Sequence, residues 1–473
     1  MRVLAVTSEL YPLIKTGGLA DVAGALPAAL APEGITVITL IPGYPAIMKA
    51  ITKRTVVLHL AALHGGPVDV LEAKVLGINL LVLDAPHLFD RPGNPYLGPD
   101  GTDWPDNGLR FAALSQVAAQ IARAQKFDVV HLHDWQAALT AAYLKFGGGP
   151  PCIVTIHNLA FQGWFPASLF ASLGLPPNAY TVDGVEYFAG VGYLKAGLAL
   201  AGAVTTVSPS YAREIQTVQD GMALDGLLRS RKAELHGILN GIDLEVWNPA
   251  TDKALAKNYD AKSIALRTEN KRAIEKRLNL QTGDGPLFCI ISRLTGQKGM
   301  DLVVAAADRI IAGGGRLAVL GSGEPALQAG LAAAAARHPG HIGVSTSYDE
   351  PLSHLLQGGS DVILVPSRFE PCGLTQLYAL RYGCVPLVSH VGGLADTVID
   401  ANDAAVAAGT ATGIVFAPVT QEMFNQALDR AFVLFADKPA WQALQISGMK
   451  AQLGWGRSAA RYAKVFRSLQ VKV

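Results

Sequence analysis

The chain has 473 residues, half of them apolar and 16% charged, which excludes a disordered or polyelectrolyte protein. That length suits about two or three domains with substantial cores. Lys and Arg (39) nearly balance Asp and Glu (38) for a formal net charge of +1, so no nucleic-acid partner and no anionic membrane surface is expected.

In chain order, "RVLAVTS", "VITLIP", "INLLVLDAP", "DVVHLHD", "CIVTIHN" and "AVTTVSP" read as strands of a first half. "LFCIISRL", "RLAVLGSG", "HIGVSTSY", "DVILVPS", "VPLVSH" and "GIVFAP" do the same in a second. They are short, continuous and β-branched, and they alternate with Ala/Leu-rich helical runs. That pattern predicts doubly wound α/β domains with parallel sheets. The N-terminus enters strand-like sequence without a basic, apolar and cleavage-site pattern, so no signal peptide is expected. The mean hydropathy of +0.28 raises the question of a membrane span. The uncharged stretch "AGLALAGAVTTVSPSYA" is broken by Gly, Thr, Ser and Pro, short of the roughly 20 apolar residues a span needs, so no membrane partner is expected. Cys152, Cys289, Cys372 and Cys384 lack CxxC spacing and read as thiols of a reducing compartment, which predicts a cytoplasmic location.

The turn-rich stretch at 238–260, "ILNGIDLEVWNPATDKALAKNYD", separates the halves. It places a first domain at residues 1–245 and a second at 246–445. The amphipathic tail within 446–473 predicts a C-terminal helix packing back across both.

Ligands of open α/β sheets bind beyond the carboxyl ends of strands, and the chemistry-bearing residues gather there. "KTGGLADVAGALP" sets two glycines and Lys15 before a helix, a seat for phosphate, though its plain alternative is a tight turn. "VHLHDW" offers His133, Asp134 and Trp135; His131 alternates with His133, so one is expected on each face. "VTIHN" offers His157. "SRLTGQKG" sets Arg293 and Lys298 five apart in a glycine-bounded loop, a match to a diphosphate or else a solvated basic loop. "SRFEPCGLTQLYALRYG" puts Glu370 before a sharp turn, with the amides of Cys372, Gly373, Leu374 and Thr375 entering a helix. Its alternative is a helix-cap acid. No metal-ligand spacing occurs, so neither a metal nor a cofactor is expected. "GGLAD" occurs at 17–21 and again at 392–396 with unlike flanks, so it marks two strand-to-helix turns and not a duplication.

Six of these stretches, "YPLIKTGGLADVAGALP", "VHLHDWQAAL", "TIHNLAFQG", "SRLTGQKGMDL", "SRFEPCGLTQLYALRYG" and "GGLADTV", together resemble bacterial glycogen synthase and its close relative, plant starch synthase. They run in order from residue 8 to about 400. The resemblance implies a GT-B fold, two Rossmann-like domains facing across a deep cleft. It implies retaining transfer of glucose from ADP-glucose to the non-reducing 4-hydroxyl of an α-1,4-glucan. By the same resemblance Lys15 and Gly18 approach the donor phosphates, and Arg293 and Lys298 clamp the diphosphate. Glu370 holds glucose hydroxyls beside the amides of Cys372 to Thr375. His157 and Asn240 lie at the glucose, Asp21, Asp134 and Trp135 near the glucose or acceptor side, and Tyr348 packs on adenine. Gly296 departs from the larger residue many relatives carry in "SRLTxQKG", and "GWGRSA" departs in the tail. Transfer through a single same-face displacement and through an enzyme-linked glucose both remain open on sequence. The rival readings are a UDP-glucose or sucrose-forming enzyme of the same architecture and a non-catalytic glucan-binding protein.

Overall fold

Apolar strands with no polar face must be covered on both sides, and helices following each strand supply the cover. The computed structural model describes residues 1–347 and 349–470. It folds as two units, Met1–Gly241 with Trp455–Val473, and Ile242–Gly454.

In the first unit the strands are β1 (Arg2–Val6), β2 (Thr36–Pro42), β3 (Arg54–Leu63), β4 (Gly66–Val75), β5 (Ile78–Asp84), β6 (Val129–His133), β7 (Cys152–Ile156), β8 (Trp164–Pro166), β9 (Glu186–Tyr187), β10 (Gly190–Gly192), β11 (Ala203–Thr206) and β12 (Leu235–Gly237). Nine of them form one sheet in the order β12-β11-β7-β6-β1-β2-β5-β4-β3. It is parallel from β12 to β5 and antiparallel beyond. Every residue of β6, β7 and β11 is buried. The β3–β4 hairpin was not foreseen. β4 alternates buried apolar residues with Asp69, Glu72 and Lys74, so it lacks the continuous apolar run that marks its neighbours, whereas β3 carries such a run around His59 yet is mostly exposed. The strands β8-β10-β9 make a separate antiparallel sheet. The C-terminal helix Gly456–Gln470 buries Tyr462, Phe466 and Leu469 in one cluster with Val3, Val22, Val129 and Ile153.

In the second unit β13 (Leu287–Ile291), β14 (Arg316–Leu320), β15 (Ile342–Ser345), β16 (Val362–Val365), β17 (Val385–Ser389) and β18 (Ile414–Phe416) form an all-parallel sheet in the order β15-β14-β13-β16-β17-β18. The helix Met300–Ala312 shows why it sits on that sheet. Met300, Val303, Ala307 and Ile310, spaced by three and four residues, are buried against it.

The strand order reverses between β1 and β6 in the first unit and between β13 and β16 in the second. Such switch points open a crevice at the carboxyl ends of the two strands. They therefore decide where to look for a site in each unit.

Candidate active site

In the second unit, β13 runs into Arg293–Lys298 and β16 runs into Ser367–Glu370, so both sequence-selected loops flank the switch point. Lys298 Nζ donates to Glu370 Oε2 at 2.5 Å, and Ser367 Oγ donates to the same oxygen at 3.2 Å. Arg368 joins the loops. Its guanidinium donates to Gly296 O at 2.6 Å and to both carboxylate oxygens of Asp301 at 2.7 Å, while its amide donates to Gln297 O at 2.8 Å. Gly296 is thus held on both sides, its carbonyl by Arg368 and its amide by Glu324 Oε1 at 2.9 Å. Arg293 is exposed, and among the described residues its guanidinium has no ion-pair partner.

Cys372 is buried and in no disulfide. Gly373 takes φ +72°, and Thr375 begins the helix Thr375–Tyr382. The second "GGLAD" braces this turn from behind. A Cβ on Gly393 would stand 2.1 Å from Cys372 O, and the Gly393 amide donates to Glu370 O at 3.0 Å. Only glycine allows that approach. Tyr348 lies outside the described residues.

In the first unit, β1 ends into Glu9 and the first glycine loop. Glu9 is buried, and its carboxylate accepts from Thr16 N (2.5 Å), Thr16 Oγ1 (2.5 Å), Gly17 N (3.2 Å) and Tyr96 Oη (2.5 Å). The amides of Thr16 and Gly17 thus serve an internal anion. Gly18 opens the helix Gly18–Leu30. Lys15 Nζ pairs with Asp21 Oδ1 at 2.8 Å and sits 5.2 Å from the Tyr11 ring centre. Sequence reasoning missed Glu9 and Tyr96. The signal for Glu9 was present, since it too stands just past the carboxyl end of a strand.

On the other side of that switch point β6 ends at His133, and Asp134 follows at φ +53°, a left-handed conformation that costs a non-glycine residue energy and so marks a site under constraint. Asp134 Oδ1 accepts the His157 amide at 2.7 Å. Burial pushes its carboxyl up to about 8, with the His157 and Asn158 amides pulling the other way. His133 Nδ1 and His157 Nε2 lie 2.9 Å apart. Burial takes His133 down to about 3 and lowers His157 well below the ordinary imidazole value, so both are neutral and share one proton between facing nitrogens. His131 does not face the other way. Its ring centre is 4.1 Å from that of His133, because residues two apart on a strand share a face.

Trp135 packs into the core, 5.0 Å from Phe111 and 5.8 Å from Phe165, with Gly163 against its ring. Asn240 is buried, and its Oδ1 has no hydrogen-bond partner among the described residues. Among the described residues no three His, Cys, Asp or Glu side chains gather as metal ligands, and no helix is long and apolar enough to cross a membrane.

Residues 2–230 match the starch synthase catalytic domain and residues 271–433 match glycosyl transferases group 1. Over the full chain, the sequence is 54% identical to glycogen synthase of Mesorhizobium japonicum, covering 99% of that protein, and 55% identical to glycogen synthase 1 of Rhizobium meliloti, covering all of it. The chain belongs to the glycogen synthase family. It is a glycosyltransferase. The catalytic domain of starch synthase IV from Arabidopsis thaliana, solved with ADP and acarbose, superposes with a TM-score of 0.89 at 31% identity over 99% of both chains, which gives this chain the GT-B fold. Sucrose-phosphate synthase from Thermosynechococcus elongatus shares the fold alone, with a TM-score of 0.61 at 16% identity.

Proposed function

We propose that this glycogen synthase homologue lengthens an α-1,4-glucan by retaining transfer of glucose from ADP-glucose, releasing ADP. The observation that carries the reading is the Lys298–Glu370 contact at the second unit's switch point, with Arg293 on the same loop. Such a site offers cations to the oxygens of a diphosphate and an acid to the hydroxyls of a sugar in one place. As the glucosyl–phosphate bond breaks, negative charge grows on the departing ADP. Arg293, Lys298 and the amides of Gly373, Leu374 and Thr375 stabilise it there. Glu370 accepts from glucose hydroxyls. The acceptor 4-hydroxyl attacks the face that ADP leaves and passes its proton to the departing phosphate oxygen.

From the first unit, Lys15 and Gly18 serve the donor phosphates. The unpartnered Asn240 Oδ1 suits a sugar hydroxyl that needs an acceptor. The His157 backbone, fixed by Asp134, stabilises the glucosyl cation, and Asp21 and Trp135 shape the acceptor side. The solved relative bound to ADP and acarbose, a nucleotide and an oligosaccharide analogue, supports both ligand classes. Four buried thiols fit work in the cytoplasm.

The test is glucose incorporation into glycogen from ADP-glucose and from UDP-glucose, with Lys298→Ala alongside. ADP-glucose is expected to be the donor, and Lys298→Ala to lower kcat by about 100-fold to 1,000-fold. Incorporation from UDP-glucose alone overturns the donor assignment. Near-normal turnover by folded Lys298→Ala removes the lysine from the chemistry.

A further inference from the structure

The small sheet β8-β10-β9 carries aromatic rings on the face where a solvated strand ordinarily carries polar groups. Its register pairs Trp164 with Gly192 and Tyr187 with Gly190, so these four residues share one face. Neither glycine has room for a side chain. A Cβ on Gly190 would stand 2.5 Å from Trp164 Nε1, and one on Gly192 would stand 2.8 Å from Tyr187 Cβ. Glycine weakens a strand, so two in a three-residue strand need a reason. The reason visible here is that they let the Trp164 indole and the Tyr187 side chain close onto the strand. Trp164 Nε1 donates to Tyr187 O at 2.9 Å, which fixes the indole, yet Trp164 remains 50% exposed. The core does not need these rings. Phe165 anchors the sheet from its other face, 4.8 Å from Tyr193.

The hairpin tip adds a second observation. Phe188 and Ala189 take φ of +47° and +55°, the left-handed pair of a turn that favours Asn-Gly. Phe188 is 67% exposed, with its ring 4.6 Å from Tyr187. A strained and exposed phenylalanine serves something other than folding.

A fixed indole with one open face, beside two rings inclined to each other by 57°, suits a pyranose. Its C–H groups are apolar and weakly positive, and the aromatic face is negative. Two of the neighbouring charges, Glu186 and Lys195, are engaged internally, which favours an uncharged partner. Glu186 Oε1 accepts the Ala189 amide at 2.8 Å, and Lys195 Nζ donates to the carbonyls of Val182 and Gly184. The segment leaving β7 carries His157 and reaches Trp164 seven residues on. We infer that Trp164, Tyr187 and Phe188 form a platform that binds α-1,4-glucan outside the reacting end, resting on the reading that a glucan is the acceptor.

The experiment compares wild type, Trp164→Ala and Phe188→Asn by retardation in glycogen-containing native gels. Steady-state kinetics with glycogen and with maltotriose accompany the gels. Both variants are expected to bind glycogen about fivefold to tenfold more weakly, with the KM for ADP-glucose and turnover of maltotriose unchanged. Phe188→Asn relieves the turn, so its Tm should hold or rise while glycogen binding falls. A ring with a purely structural role would lower the Tm instead. Unchanged retardation of both variants overturns the platform. So does a loss of self-association without a loss of glycogen binding, which would make the face a contact between copies. Failure of the wild type to transfer glucose to maltotriose would instead overturn the acceptor reading, whatever the gels show.

Discussion

Asp134 and its histidine neighbours set a pH dependence that can be worked out group by group. Burial raises the Asp134 carboxyl from an ordinary 3.8 to about 8, so the folded state holds its proton more tightly than the unfolded state. Stability then falls as pH rises from about 4 toward 8, because the unfolded chain releases that proton first. His131, His133 and His157 are all lowered by burial from 6.5. The unfolded chain therefore takes up their protons first, and stability falls as pH drops below about 6.5. Three groups act on the acid side and one on the alkaline side, so their combined contribution peaks near pH 6.5. Asp134→Asn keeps a neutral oxygen for the His157 amide and removes the alkaline arm. The difference in Tm between Asp134→Asn and wild type is expected to grow between pH 5 and pH 8. A constant difference across that range would mean the carboxylate is already ionised in the fold.

At the scale of the element, the first glycine loop hangs on Glu9. The two sides of that carboxylate differ. One oxygen faces the amides of Thr16 and Gly17, which can only donate. The other faces the hydroxyls of Thr16 and Tyr96, which can donate or accept. A glutamine can therefore set its oxygen toward the amides and its NH2 toward the hydroxyls, with Tyr96 turning its proton to Ser8 Oγ at 2.8 Å. Glu9→Gln is expected to keep kcat/KM for ADP-glucose within about threefold, whereas Glu9→Ala releases the loop and loses about tenfold or more. Thr16 and Gly17 are exposed, so water replaces the lost acceptor and the Tm of Glu9→Ala should change little. Equal kinetic losses in both variants would assign the effect to charge and not to loop position. The same loop marks what sequence could reach. Lys298 and Glu370 were legible because each follows a strand end within a turn-rich string. The Glu9–Tyr96 bond spans 87 residues, and no local spacing announces it. β4 was hard to read for another reason, since its single buried face sets apolar residues between Asp69, Glu72 and Lys74, while the apolar run of β3 was legible and was passed over. The shared face of His131 and His133 was legible from strand geometry alone and was misassigned.

At the scale of the whole molecule, the chain leaves the first unit at Gly241, builds the second, and returns at Trp455. Unit one is therefore incomplete until the last helix is made. That helix is no accessory. Phe466 is fully buried with Tyr462 and Leu469 among residues of β1, β6 and β7, and Gly202 leaves room for Leu469 against it. Phe466→Ala should cost about 3–5 kcal/mol, a large share of one unit's stability. The cysteines report where that loss is felt. Cys152 begins β7 in the first unit, while Cys289 and Cys384 are buried in the second. A buried thiol reacts only when its surroundings open, so alkylation rates measure local unfolding. Phe466→Ala is expected to accelerate labelling of Cys152 by about 100-fold or more at moderate urea, with Cys289 and Cys384 changing far less. Equal acceleration at all three thiols would show that the two units open as one cooperative body. The returning helix would then stabilise the entire chain and not only the unit it completes.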